Sequence, residues 1–246
     1  MTKTKATQQT TIEALLDSSQ RDILPLAHLF VQHRTPEDRG VPGPLSWFVQ
    51  AHHERGLQQY LLAHAVASGG KWDVAHDSRV WARALGLSDK HPSGRNAISR
   101  TWKWLDRHSL ITRSRKGRLS KITLLYDDGS GRPYVHPNDR GDRYLTLPYA
   151  YWRDEWYRKL DLAALAVLLI ARSLPNTFPL PMERVPGWYG LSTSTFQKGT
   201  RTLRRHGLLK HWYVQEPRPL APEGFTRVNY YELQSPFAKP GRKKKS

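Results

Sequence analysis

Apolar residues fall along this chain in blocks whose spacing changes from block to block. The densest block, 162–171 (LAALAVLLIA), is apolar on all sides. It follows Asp161, an acid suited to an N-cap or first turn, and predicts a buried helix running to about residue 173. The run is too short to cross a bilayer, which takes about 20 residues. A helical period over 45–67 predicts one long helix ending at Ser68, Gly69 and Gly70. Over 11–33, Ile12, Leu15 and Leu16, then Ile23, Leu24, Leu26, Leu29 and Phe30, predict one or two short helices, with Pro25 near a helix start or at a kink. Residues 34–44 (RTPEDRGVPGP) read as a loop, and residues 1–10, polar and without period, as a disordered end. The stretch 127–143 (DDGSGRPYVHPNDRGDR) has no apolar period and reads as a linker between two domains.

One pattern occurs twice. VWARALGLS is followed by DKHPSG and RNAISRTWKWLDRHSLITRSRKGRLSKITLLY; VPGWYGLS is followed by TSTFQKGTRTLRRHGLLKHWYV and later FTRVNYYEL. Gly86, Leu87 and Ser88 align with Gly190, Leu191 and Ser192. Leu105, Arg107, His108, Leu110 and Ile111 align with Leu203, Arg205, His206, Leu208 and Leu209, with six extra residues in the first copy assigned to its Pro/Gly turn. Gly permits a left-handed helix end, and Ser suits the turn or cap that follows. Ile98, Trp102 and Leu105 have the i, i+4, i+7 spacing of a core-facing stripe; their counterparts are Phe196, Thr200 and Leu203, of which Thr200 is a weak core residue. After each helix a leucine pair or Leu-Ile enters a strand, and in the first copy a basic turn at 113–118 leads to a second strand at 121–126.

Helix, turn, helix, then hairpin resembles the winged helix-turn-helix superfamily, in the form found in bacterial transcription regulators and plasmid replication initiators. The resemblance covers roughly 45–126 and 145–233. It implies a mainly α fold with small β-hairpin wings (α+β), built as two winged-helix domains in tandem. The expected division is a 1–44 extension with short helices, a first winged-helix domain at 45–126, the 127–143 linker, a second at 144–236 and a basic disordered tail at 237–246 (its end KPGRKKKS). In this superfamily the second helix of the helix-turn-helix enters the major groove.

Charge agrees with that expectation. Lys and Arg number 39 against 21 Asp and Glu, giving a formal charge of +18, which favours polyanions. Residues 93–121 hold nine Lys/Arg and one acid, Asp106. With Ile98, Trp102 and Leu105 inward, Arg95, Asn96, Ser99, Arg100 and Lys103 face outward; Arg reads guanine and Asn adenine, while Lys and Ser reach phosphate or base. Arg113, Arg115, Lys116 and Arg118 would sit on the first wing, with Gly117 in its turn and Lys121 following. In the second copy the outward set is Thr195, Gln197, Lys198, Arg201 and Arg204, with Arg205 nearby. The plain alternatives are a solvated basic face and, for the second copy, a dimerising domain.

Nine Trp, eleven Tyr and six Phe point to cores built on rings, and Trp81, Trp102, Trp188 and Trp212 are assigned there. Trp104, off the core stripe, is expected against the preceding long helix. The run YAYWRDEWY, with Tyr149, Tyr151, Trp152, Trp156 and Tyr157, is expected against the 161–173 helix or at a domain or dimer contact. Base stacking on such rings, as in single-strand binders, is the competing use. With no cysteine there is no disulfide or thiolate chemistry. His52, His53 and Glu54 lack helical zinc spacing, and no phosphate loop or His-hydrophobic-His motif occurs, so no catalysis, metal or cofactor is expected. The expected protein is cytoplasmic, associated with the nucleoid rather than a membrane, and binds double-stranded DNA, as a homodimer in one version. It is either a plasmid-type replication initiator recruiting replication proteins or an operator-binding transcription regulator.

Overall fold

The computed structural model describes residues 5–34, 40–67 and 70–239, and among these described residues lie ten α-helices and ten strands. In chain order they are α1 (Gln8–Asp17), β1 (Ile23–Ala27), β2 (Gln32–Arg34), β3 (Gly40–Pro42), α2 (Leu45–Gln50), α3 (Glu54–Val66), β4 (Asp73–His76), α4 (Ser78–Ala84), α5 (Pro92–Arg107), β5 (Ile111–Lys116) and β6 (Leu119–Leu124). Then follow β7 (Tyr144–Pro148), α6 (Ala150–Arg153), α7 (Trp156–Lys159), α8 (Leu162–Ser173), β8 (Thr177–Pro179), α9 (Val185–Tyr189), α10 (Thr193–Arg205), β9 (Leu209–Pro217) and β10 (Phe225–Leu233). The fold is mixed α+β with small sheets.

One order of elements occurs twice. A buried helix (α3, α8) leads to a short strand (β4, β8), a short helix (α4, α9), an amphipathic helix (α5, α10) and an antiparallel hairpin (β5 with β6, β9 with β10). Both sheets share one topology, β4-β6-β5 and β8-β10-β9, with the short strand beside the returning arm of the hairpin. Gly86 and Gly190 both end their helices with positive φ (69° and 66°). The six extra residues divide between the turn and the helix: α5 starts at Pro92, with His91 as N-cap, while Ser192 itself caps α10. Asp161 caps α8 by accepting from the Ala164 N–H, and the helix ends at Ser173 as its sequence predicts.

Several expectations are corrected. The block at 23–27 is a strand, and Pro25 lies within it, paired with β7 from Ile23 opposite Pro148 to Ala27 opposite Tyr144; a short apolar run cannot distinguish helix from strand by period alone. The long helix expected over 45–67 is two, broken where His52 adopts φ 49° and the His53 N–H turns back to the Phe48 carbonyl. Within the disordered end expected over 1–10, residues 8–10 open α1 behind a Thr7 cap. Residues 40–42 of the expected loop pair with β2.

The segment 127–143 has no named helix or strand, yet Asp127, Tyr134 and Pro137 are buried in it. Phe237, placed at the start of the tail, is fully buried against Trp156 and accepts from the buried Arg172 guanidinium at 2.8 Å. The helix stop expected at Ser68 and Gly69 and the basic tail expected beyond Lys239 lie outside the described residues, as do residues 1–4 and 35–39.

A single apolar cluster runs from Ile12 to Phe237. α1 packs on α4, where Arg83 donates to Thr11 at 2.8 Å and Gln8 to the Ala84 carbonyl at 3.1 Å. β1 continues to the second half through β7. Gln32 and Gln50 donate to the carbonyls of Trp188 and Gly190, so the chain before α3 touches both halves.

Candidate nucleic-acid interface

α5 owes its orientation to a sharp division of its faces. Ala97, Ile98, Thr101, Trp102 and Leu105 are buried, with Trp102 edge-on to Trp81 at 5.3 Å. Asn96, Arg100, Lys103 and Arg107 follow at i, i+4, i+7 and i+11 on the opposite side and are exposed. Arg95 and Ser99 flank this stripe half-buried, and the Arg95 Nε is buried without a protein partner. Gly94 lets the helix start pass under the preceding turn, since a Cβ there would lie 2.0 Å from the Ser88 carbonyl oxygen.

The β5–β6 hairpin closes through Gly117 and Arg118, with Gly117 at φ 61° and Lys116 paired to Leu119. Strand alternation sorts its charges. Arg113 and Arg115 share a face with buried Ile111, the face towards α5. Lys116 and Lys121 share the opposite face, and there Lys121 forms a 2.8 Å ion pair with Asp73 of β4. The sequence-predicted set of the first half thus stands on two sides of the hairpin, with Lys121 already neutralised. Arg95, Arg100, Lys103, Arg113, Arg115, Lys116 and Arg118 have no carboxylate at ion-pair distance among the described residues.

α10 also buries one stripe, Phe196, Gly199, Thr200 and Leu203. Gly199 permits close packing on α8, where a Cβ would meet the Ala163 carbonyl oxygen at 2.3 Å. Gln197, Arg201 and Arg204 line a cleft of about 440 Å³ between the helix and its sheet, closed by His211, Asn229 and Tyr231. His211 Nε2 lies 3.0 Å from the Asn229 Oδ1, and the Thr200 hydroxyl is buried there without a protein partner. Sequence reasoning missed His211, Asn229 and Tyr231; the cross-strand alternation of the second hairpin was the available signal.

The remaining predicted residues of α10 lie elsewhere. Thr195 belongs to the cap, its N–H donating to the Ser192 hydroxyl. Lys198 turns the other way, to a 2.9 Å ion pair with Asp161. Burial would raise the Asp161 carboxyl, but the Ala164 N–H, the Lys198 ammonium and nearby Arg205 outweigh it and hold it below its usual value. Arg205 shares a second, open cleft with Arg201, Arg204, Lys210 and Trp212.

The aromatics divide as well. Trp81 and Trp102 are core residues and Trp188 packs partly on it, but Trp212 is 37% exposed and stacks on Tyr230, a correction to its core assignment. Trp104 packs on Phe48 at 4.8 Å and edge-on to His53 at 4.9 Å, at the junction of the two helices that replace the expected long one. From the 149–157 cluster, Tyr149 donates to the Ala65 carbonyl, Gln9 donates to the Trp152 carbonyl and Tyr157 donates to Gln9, so the cluster joins α1 and α3. Among the described residues no three His, Asp or Glu side chains are grouped to hold a metal, and no helix is long and apolar enough to cross a membrane. Compared with known proteins, the chain matches no family model, no curated protein and no solved structure.

Proposed function

We propose that this chain is a sequence-specific double-stranded DNA-binding protein built from two winged-helix units, acting as a plasmid-type replication initiator or other origin-binding protein. The observation that carries the reading is the repeat itself. Helix, strand, helix, helix and hairpin occur twice with the same sheet order, and each time the amphipathic helix before the hairpin exposes a basic stripe with few acids. Arg100, Lys103 and Asn96 on α5, and Arg201, Arg204 and Gln197 on α10, have the chemistry for base edges and phosphates. Arg118 at the hairpin turn suits phosphate contact. An operator-binding regulator that acts as a dimer is the second reading, favoured by the open edge of β9.

Binding measurements on genomic fragments and random duplex test this. The affinity should fall with salt at a log–log slope of about −5 if roughly six basic groups neutralise phosphates; a slope near zero rejects the reading. Arg100→Ala should cost about 1–3 kcal/mol on the specific site and less on random DNA, whereas Arg118→Ala should weaken both alike. Footprints on direct repeats favour the initiator, and one palindrome over a promoter favours the regulator.

A further inference from the structure

The two hairpins occupy equivalent places in their sheets, but their outer strands differ. β5 is one edge, six residues long, and carries Arg113, Arg115 and Lys116, charges that discourage a further strand. β9 is the other, nine residues long (LKHWYVQEP), with Trp212, Tyr213 and Val214 exposed by 37%, 56% and 42%. Among the described residues β9 pairs with β10 alone. A long aromatic edge with free N–H and C=O groups is a template for strand addition.

β9 is also complementary to its own reverse. An antiparallel copy centred on Tyr213 sets Lys210 opposite Glu216, His211 opposite Gln215 and Trp212 opposite Val214. Opposite charges then meet at both ends. Moving the register by two residues sets Lys210 against Val214 or Arg218 and loses both ion pairs. Lys210, Trp212, Val214 and Glu216 share one face of the strand. Val228 and Tyr230 of β10 lie opposite Val214 and Trp212 on that face, with Tyr230 stacked on Trp212 at 6.0 Å. Pairing two copies joins two half-exposed apolar patches into one across a twofold axis, the self-complementary geometry that a symmetric dimer requires.

We propose that β9 is a homodimer interface, in which two copies of this chain pair antiparallel about Tyr213 and their three-stranded sheets become one. The proposal is independent of the DNA-binding reading and is tested without DNA. The nuclease-treated full chain is followed by sedimentation velocity at low salt over a range of concentrations, and a reversible dimer is expected. Lys210→Glu sets like charges at both ends of the interface, and so does Glu216→Lys, so each variant alone should sediment as a monomer with an unchanged circular dichroism spectrum. An equimolar mixture of the two restores an opposite pair at each end and should sediment as a heterodimer. Should either variant fail to fold, Val214→Lys, at an exposed position facing Trp212 of the other copy, serves instead and should give a monomer. A wild-type monomer at every concentration overturns the proposal. So does a dimer that none of the folded variants weakens, or a mixture of folded charge variants that stays monomeric.

Discussion

The Asp127 carboxylate collects three donors from two separate elements. Ala27 N–H of β1 donates at 2.7 Å, Tyr60 of α3 at 2.8 Å, and His64 Nε2 of α3 lies at 2.9 Å. A carboxylate only accepts, so the Nε2 carries the proton. All four residues are buried, which makes the site intolerant of a mismatched donor. Asp127→Asn sets an amide N–H against at least one of these donors and should cost about 2–4 kcal/mol, read as a lower urea midpoint. None of this was visible in the chain. Asp127 lies in a run of turn residues that reads as solvated, and its partners come from positions 27, 60 and 64, distant in sequence.

At the scale of elements, legibility followed the source of each element's stability. α8, α5, α10 and the two hairpins were predictable because period, caps and turn glycines all lie within the element. β1 was not, because its strand form depends on β7, more than a hundred residues away. The break between α2 and α3 was not, because the apolar period continues across it while His52 takes positive φ. The basic stripes of the candidate interface were legible as outward helix positions; the loss of Lys121 to Asp73 and of Lys198 to Asp161 was not, since each ion pair joins different elements. The α2–α3 break also has a pH consequence. Burial, with the charges of Arg55 and His108, lowers the His53 pKa, and burial lowers those of His33 and His76. The unfolded chain then binds more protons than the folded one, so this stability is present above the ordinary histidine value of about 6.5 and is lost as pH falls through the lowered folded values. Urea midpoints should decline between about pH 7 and pH 5, and His53→Asn should flatten that decline.

Across the whole molecule, the chain before α3 unites the halves. α1 rests on α4, β1 pairs with β7, and Gln32 and Gln50 reach α9 and its end, while one apolar cluster passes through all of them. The expected extension is therefore part of the shared core. Under the proposed function, that makes the molecule a ruler. Two readers on a slack tether accept any separation of their targets, whereas two readers bolted to one frame accept only the spacing and helical phase that the frame dictates. Inserting about 5 base pairs between the two contacted segments would rotate them to opposite sides of the duplex and should abolish joint binding, and about 10 base pairs should restore the phase without restoring the distance. Footprinting the three spacings on one fragment would show it: protection of both segments at the native spacing, and of only one segment at either insertion.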